Sequence, residues 1–358
     1  MKLTSLQDLA TIGVDTVIDA RAPAEFAEDH LPGAVNLPVL SDTERAEIGT
    51  LYKQISPFQA RKRGAALVAQ NVAQHLLGPL SEKPGDWQPL VYCWRGGQRS
   101  GAFATILRQI GWRVAVLEGG YKCYRRQVQA QLYDAPFPAP VLLLDGGTGT
   151  AKTEILARVA RLGGQVIDLE ALAAHRGSLF GAESPQPSQK LFETRLAQAV
   201  LALDPSRPVL IEAESNRIGA LRLPPSLWHA MRAAPWVRIT APSEARVSYI
   251  LKAYSGFCDD PARLSATLEK LRPYQSKDRL AQWHRAAMTG FFRELVGELI
   301  LHHYDPRYAR MQRDQAVIQQ IDLRDLSEKS QEIAAKRLET VLQEQFHATI
   351  DDQTVNAQ

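Results

Sequence analysis

Short apolar runs alternate with stretches of helical period over the first third of the chain. DTVIDA at 15–20, AVNLPV at 34–39, LVYCW at 90–94 and RVAVLEG at 113–119 have the length and composition of buried strands. Between the last two, SGAFATILRQIG places its apolar positions three and four apart, as a helix does. Strands that alternate with helices predict a parallel α/β sheet, with the end of LVYCW on a strand-to-helix turn. YDAPFPAP at 133–140 interrupts the pattern and reads as a linker. Beyond it PVLLLDGG runs into TGTAKTEILARVARLG, a strand, a glycine loop and a helix, and QVIDLEAL, RPVLIEAES and WVRITAP supply three more strands. From about residue 262 the strand signals vanish and amphipathic helix takes over, ending in the polar tail DDQTVNAQ. The expected organisation is α/β throughout: a parallel-sheet domain at 1–131, a second α/β domain at 139–310, and a helical extension with its tail at 311–358.

Composition narrows the class without naming a function. The 358 residues are 45% hydrophobic and 23% charged, ordinary for a soluble two-domain protein. No apolar run reaches the length of a membrane span, and MKLTSLQDLATIG carries acids without a long apolar core, so a cytoplasmic protein with no membrane partner is expected. Residues 1–130 hold 15 Lys+Arg against 12 Asp+Glu, and 131–358 hold 27 against 27. The +3 excess therefore sits in the first part, too small to establish nucleic-acid binding by itself. Three cysteines at irregular spacing exclude a disulfide framework and a four-cysteine zinc site.

Two segments carry oxyanion chemistry. In YCWRGGQRS at 92–100, Cys93 ends an apolar strand and is followed by Arg95, Gly96, Gly97 and Arg99. Such a loop can wrap amide N–H groups and arginine charge around one sulfur, holding it as thiolate. In DGGTGTAKT at 145–153, Gly146, Gly147, Gly149, Lys152 and Thr153 stand where a phosphate loop needs a tight turn, an amide cradle, a cation and a metal-facing hydroxyl. Ala151 occupies the place of the second Walker glycine, and its Cβ is expected to limit positive φ and close phosphate approach. Phosphate or diphosphate binding is thus favoured over ATP hydrolysis. In VLIEAES, Glu212 or Glu214 can orient a metal or a water.

Other residues fit plainer roles. His302 and His303 are neighbours pointing to different sides of a helix and are expected at the surface. Cys123 lacks a glycine nest, and Cys258 lies beside two acids; both read as inert thiols. Basic residues are spread over Arg61, Lys62 and Arg63, then Lys122, Arg125 and Arg126, then Lys270, Arg272, Lys277 and Arg279. The last set is interleaved with Tyr274 and followed by Trp283, a combination suited to RNA backbone contact and base stacking.

VIDARAPAEFAEDHLPGAVNLPV at 17–39 resembles the early signature of the rhodanese family, and Cys93 falls at that family's persulfide-carrying position. The Cys93-to-Arg99 spacing, C-x5-R, is one residue longer than the common sulfurtransferase loop and closer to rhodanese-like phosphatases. The wider nest should favour a tetrahedral oxyanion. DGGTGTAKT resembles a Walker A loop. Both domains in this order resemble the tRNA 2-selenouridine synthase family, through ERAEIGTLYKQISPFQARKRGAAL at 44–67, YCWRGGQRSGAF, DLEALAAHRGSLFG at 168–181, QKLFETRL at 189–196 and EAESNRIG at 212–219.

That resemblance implies replacement of the sulfur of wobble-position 2-thiouridine in tRNA by selenium from selenophosphate, through an S-geranyl intermediate made from geranyl diphosphate. It further implies that Lys152, the loop amides and a Mg²⁺ on Thr153 stabilise departing diphosphate, that the Cys93 loop with Arg95 and Arg99 handles the selenium donor, and that His175, Arg176 and Arg217 contact tRNA or substrate. A selenophosphate-supplying enzyme is an expected partner. Whether Cys93 carries selenium or cleaves selenophosphate stays open. So does a rhodanese-like sulfurtransferase or phosphatase fused to a regulatory P-loop domain, or a non-catalytic RNA-binding protein.

Overall fold

A computed structural model gives the fold over residues 1–176, 185–310 and 317–355, without the side chains of 257–258, 309–310 and 345–355. The chain forms two compact units, one of residues 1–136 and 187–201, the other of 137–186 and 202–358.

In the first unit the elements are α1 (Asp8–Thr11), β1 (Thr16–Asp19), α2 (Pro23–Glu28), β2 (Val35–Asn36), α3 (Asp42–Gln54), α4 (Pro57–Leu77), β3 (Pro89–Tyr92), α5 (Gln98–Ile110), β4 (Ala115–Val116) and α6 (Gly120–Gln129). The four strands form one parallel sheet in the order β2-β1-β3-β4. All four residues of β3 are buried, which explains its unbroken apolar run. Phe103, Ala104 and Leu107 of α5 and Leu67, Val68 and Val72 of α4 pack with Ile18 and Val91 in one core. Ser41 caps α3 by accepting from the Glu44 amide while the Glu44 carboxylate accepts from the Ser41 amide at 2.7 Å. Gly111, left-handed at φ 113°, ends α5.

The second unit holds β5 (Val141–Gly146), α7 (Lys152–Arg161), β6 (Gln165–Ile167) and α8 (Leu169–Ala173); α9 (Gln189–Leu201), next along the chain, packs on α6 in the first unit. Then follow β7 (Val209–Glu212), the two-stranded β8 (Arg217–Ile218) and β9 (Leu221–Arg222), α10 (Pro225–Ala233), β10 (Trp236–Thr240), α11 (Ser243–Ala253), α12 (Ser255–Cys258), α13 (Pro261–Glu269), α14 (Lys277–Thr289), α15 (Phe292–Leu299), α16 (Asp305–Arg310), β11 (Val317–Asp322) and α17 (Glu328–Val355). The main sheet is parallel, ordered β11-β10-β5-β7-β6. The first oxyanion loop leaves β3 and the second leaves β5, each at a strand's carboxyl end, where α/β sheets place their ligands.

The expectation that strands end before residue 262 is corrected by β11. Val317–Gln320 are all exposed and only Ile321 of the strand is buried, so this edge strand shows no apolar run. Its partner α17 lays Ala334, Ala335, Leu338, Val341 and Leu342 against α7 and the sheet, making it part of the core. A separate helical cluster is built from Leu264, Leu268, Leu280, Trp283, Leu295 and Leu299 of α13 to α15.

Candidate functional site

The thiol loop is built around a buried sulfur. Cys93 follows β3 directly and is 3% exposed. Ser100, in the first turn of α5, donates its hydroxyl to Cys93 Sγ at 3.2 Å and to the Gly97 carbonyl at 3.3 Å. Burial alone would push the thiol up. The hydroxyl and amide of Ser100, the charge of Arg99 and the Arg95 amide outweigh it, and Cys93 is held below an ordinary cysteine.

Glycine is required where the loop touches its neighbours. Gly96 has φ +66°, and a Cβ there would sit 2.4 Å from the Leu117 carbonyl oxygen; at Gly120, φ +56°, it would sit 2.2 Å from that of Cys93. The Tyr121 and Lys122 amides then close the loop by donating to Cys93 and Trp94 carbonyls at 2.8 and 3.0 Å. Arg99 is held by Glu25, with Nη1 donating to Oε2 at 2.7 Å, while Arg95 stays exposed. The Asp-x-Arg of the sequence is a buried pair, Arg21 Nη2 donating to Asp19 Oδ2 at 2.6 Å beside the Tyr92 hydroxyl. Arg21 Nη2 also donates to the Asp29 carbonyl at 2.6 Å, so the pair ties β1 to the segment after α2.

The phosphate loop turns between β5 and α7. Gly149 is left-handed at φ +81°, and a Cβ on Gly146 or Gly147 would come within 2.7 Å of Thr150 Oγ1 or 2.9 Å of Arg246 Nη2. Ala151 corrects the expectation drawn from its side chain: it adopts φ 60°, ψ 32°. The left-handed conformation is kept at a cost of about 1–2 kcal/mol for an L-residue. Lys152 Nζ donates to the Gly146 carbonyl at 2.9 Å and pairs with Glu212 Oε1 at 3.4 Å. Burial opposes its charge, but Tyr308, Glu212, Glu214 and Glu170 hold it protonated with a raised pKa.

Facing the lysine is a group of carboxylates whose oxygens lie within 4.8 Å of one another, Glu170, Glu212 and Glu214. Thr153 Oγ1 donates to Glu170 Oε2 at 3.2 Å. Burial and the charges of Glu212 and Glu214 push Glu170 up to about 9. Burial likewise raises Glu212, whose Oε2 is buried without a hydrogen-bond partner. Three carboxylates, one of them with the orphaned buried oxygen, and a hydroxyl form an all-oxygen donor set that fits a hard divalent cation such as Mg²⁺. Glu170 was missed in the sequence because it stands on α8, between two more conspicuous motifs; its position one residue into the helix after β6 was the available signal.

These groups share a cavity of about 390 Å³ with Arg176, Arg217 and four tyrosines, Tyr249, Tyr254, Tyr304 and Tyr308. Arg176 donates to the Ala253 carbonyl at 3.0 Å and lies over the Tyr254 ring. His175 is not among the lining residues; it is half-buried, burial lowers its pKa, and its Nδ1 has no hydrogen-bond partner. His303 does line the cavity, against the expectation of a surface position. It is 3% exposed in a π-helical turn, Ile300–Tyr304, which rotates it inward, and burial with the Arg307 charge lowers its pKa to about 4.

Two of the residues expected to face RNA are unavailable. Trp283 is 1% exposed in the helical cluster, and Arg125 is tied to Glu193 of α9. Tyr274 is exposed, with Arg307 over its ring at 4.6 Å. Residues 177–184, which hold SLFG of one quoted segment, the Cys258 side chain and the side chains of the tail lie outside the described residues.

Two family profiles match the chain, the rhodanese-like domain over residues 3–127 and the tRNA 2-selenouridine synthase AAA domain over 139–281. A protein of Nitrosomonas europaea named tRNA 2-selenouridine synthase is 39% identical over 259 residues, 70% of this chain and 66% of its own length. Proteins of the same name from Shewanella halifaxensis and Chromohalobacter salexigens are 34% and 33% identical, covering 78% and 86% of this chain and 75% and 91% of their own. With a rhodanese-type cysteine loop, a phosphate loop and relatives matched over most of their length, this chain belongs to the tRNA 2-selenouridine synthase family.

Proposed function

We propose that the chain replaces the 2-thio sulfur of a wobble uridine in tRNA with selenium, in two chemical steps assigned to its two loops, and that it does so in the cytoplasm, where its tRNA and a selenophosphate-supplying enzyme are at hand. No helix among the described residues is long and apolar enough to cross a membrane. In the first step the thiouridine sulfur attacks C1 of geranyl diphosphate; the C–S bond forms as the C–O bond breaks and diphosphate leaves. The observation that carries this assignment is the cavity itself, whose lining joins a phosphate loop and Lys152 to four tyrosines, with Lys152 Nζ 5.8 Å from the Tyr308 ring. The loop and lysine suit the leaving diphosphate, and the aromatic faces suit an apolar chain whose C1 gains positive charge. Glu170, Glu212, Glu214 and Thr153 would hold Mg²⁺, which neutralises diphosphate charge when bound.

In the second step selenium displaces the geranylated sulfur. The Cys93 thiolate attacks phosphorus of selenophosphate, forming S–P as P–Se breaks. The released hydrogen selenide adds at C2 and geranylthiol departs, while water returns the S-phosphocysteine to thiol and phosphate. The lowered thiol pKa and the C-x5-R spacing support this assignment, because they suit phosphoryl transfer to sulfur.

The test is staged reconstitution with purified protein and thiolated tRNA, followed by mass spectrometry of the nucleosides. Geranyl diphosphate alone should give S-geranyl-2-thiouridine, and subsequent selenophosphate should give 2-selenouridine with one phosphate per turnover. Absence of the geranylated nucleoside would refute the first step. A phosphatase with a regulatory second domain, which the loop spacing also favours, would instead release phosphate from aryl phosphates without tRNA.

A further inference from the structure

The helical hairpin of α3 and α4 carries a pattern that neither loop uses. Ile55 and Ser56 join the two helices. They run back along each other: Asn71 donates to Glu44 at 2.9 Å, Arg63 donates to Glu47 at 3.1 Å, and Gly64 lies against Ile48. The base of the hairpin is anchored, since Leu67, Val68 and Val72 belong to the core of the first unit. At the tip the apolar residues face water instead: Tyr52 is 56% exposed, Ile55 71% and Phe58 65%.

Charge at the tip has one sign. Residues 48–81 contain no Asp or Glu, while Lys53, Arg61 and Lys62 are exposed and have no ion-pair partner among the described residues. Large apolar residues left in water mark an interaction surface, and an unbroken positive rim selects an anionic partner. Aromatic faces beside free cations match a strand with both phosphates and unstacked bases. A membrane surface fits less well, because the apolar side of α4 is already buried in the core and three tip residues make no continuous lipid-facing stripe.

We propose that the α3–α4 tip docks an unpaired loop of RNA, stacking bases on Tyr52 and Phe58 and pairing phosphates with Lys53, Arg61 and Lys62. This rests on the tRNA reading above and gives it a surface. The experiment measures affinity of the full-length protein for thiolated tRNA across a salt series. Tyr52→Ala with Phe58→Ala should weaken binding at least tenfold, since each stacked base contributes about five- to a hundredfold. Phe58→Trp, which keeps a stacking face, should retain the parent affinity. Lys53→Gln, Arg61→Gln and Lys62→Gln together should reduce the slope of log affinity against log salt by roughly 2, for three phosphates on a single strand. Melting temperature and geranyl diphosphate binding should not change, as all these side chains are exposed. Variants that bind tRNA within twofold of the parent would overturn this surface and leave the tRNA reading standing. A parent protein that binds no tRNA would overturn both. Tip-dependent binding to phosphatidylserine vesicles or tip-dependent dimerisation, with tRNA affinity unchanged, would also overturn it.

Discussion

The two oxyanion loops solve opposite electrostatic problems. Around Cys93 the neighbours are donors, namely the Ser100 hydroxyl and amide, the Arg95 amide and the Arg99 charge, and they stabilise an anion that burial disfavours. Around Lys152 the neighbours are acceptors, and three carboxylates crowd a single buried ammonium, so Glu170 and Glu212 are pushed toward protonation. In the first loop these donors outweigh the cost of burial. With all three carboxylates ionised the second carries two more negative charges than its lysine balances, and a bound divalent cation would offset them.

If the loops act separately, their variants should separate too. Cys93→Ser should leave geranylation at the parent rate and abolish selenium incorporation, because a hydroxyl of high pKa does not become the anion that the nest holds. Nucleosides digested from reacted tRNA would show accumulated S-geranyl-2-thiouridine; normal 2-selenouridine would break the comparison. Lys152→Ala should slow geranyl transfer by roughly 10²–10³, the usual effect of losing one charge-stabilising donor. Selenium transfer to tRNA geranylated beforehand should continue in that variant.

A smaller change sharpens the thiol side. Ser100→Ala removes the hydroxyl donor to Sγ, a charge-assisted bond worth about 1.5–3 kcal/mol. The pH profile of Cys93 alkylation should move to higher pH by roughly 1–2 units, with the rate on the acid side of the profile about 10- to 100-fold lower. An unshifted profile would mean that the remaining amides and Arg99 hold the thiolate without it.

Much of this contrast was legible in the sequence, and the gaps have physical causes. Cys93, Lys152, Thr153, Glu212 and Glu214 stand in short segments whose backbone geometry is local, so spacing alone brings them to their loops. Glu170, His303 and the tyrosines reach the same cavity from α8, a π-helical turn and the helices that follow β10, and tertiary packing places them there. Trp283 read as a stacking surface because its neighbours are charged, yet its own helix face is core. Strand β11 was illegible since its pairing is made by backbone and its apolar residues are few, Val317 and Ile318 being exposed and only Ile321 buried.

Proton uptake tests the carboxylate side. Glu170 binds its proton more tightly in the folded state, about 9 against an ordinary 4.5, so its contribution to stability is full below 4.5 and is lost as pH rises toward 9. Mg²⁺ competes with that proton. The rise in melting temperature on adding Mg²⁺ should therefore be larger at pH 8.5 than at pH 6. Glu170→Gln should melt higher than the parent without Mg²⁺ near pH 8.5 and gain less from the ion. Equal Mg²⁺ stabilisation of parent and variant would remove Glu170 from the cation site.

The smallest expected effect concerns the one non-glycine strain in the phosphate loop. Ala151 is left-handed, 3% exposed, and caps α7 directly before Lys152. Ala151→Gly relieves about 1–2 kcal/mol of steric cost, while the freer unfolded chain returns roughly 0.5–1 kcal/mol of it. A net gain of roughly 0–1.5 kcal/mol should appear, read as a shift of a few degrees or less in melting temperature. Since the alanine already holds the left-handed turn, the backbone path should be the same in both proteins, and ATP turnover should stay low in each if the cavity is adapted to an isoprenoid diphosphate. Brisk ATP hydrolysis by the glycine variant alone would show that the Cβ of Ala151, and not the aromatic wall, keeps nucleotides from reacting.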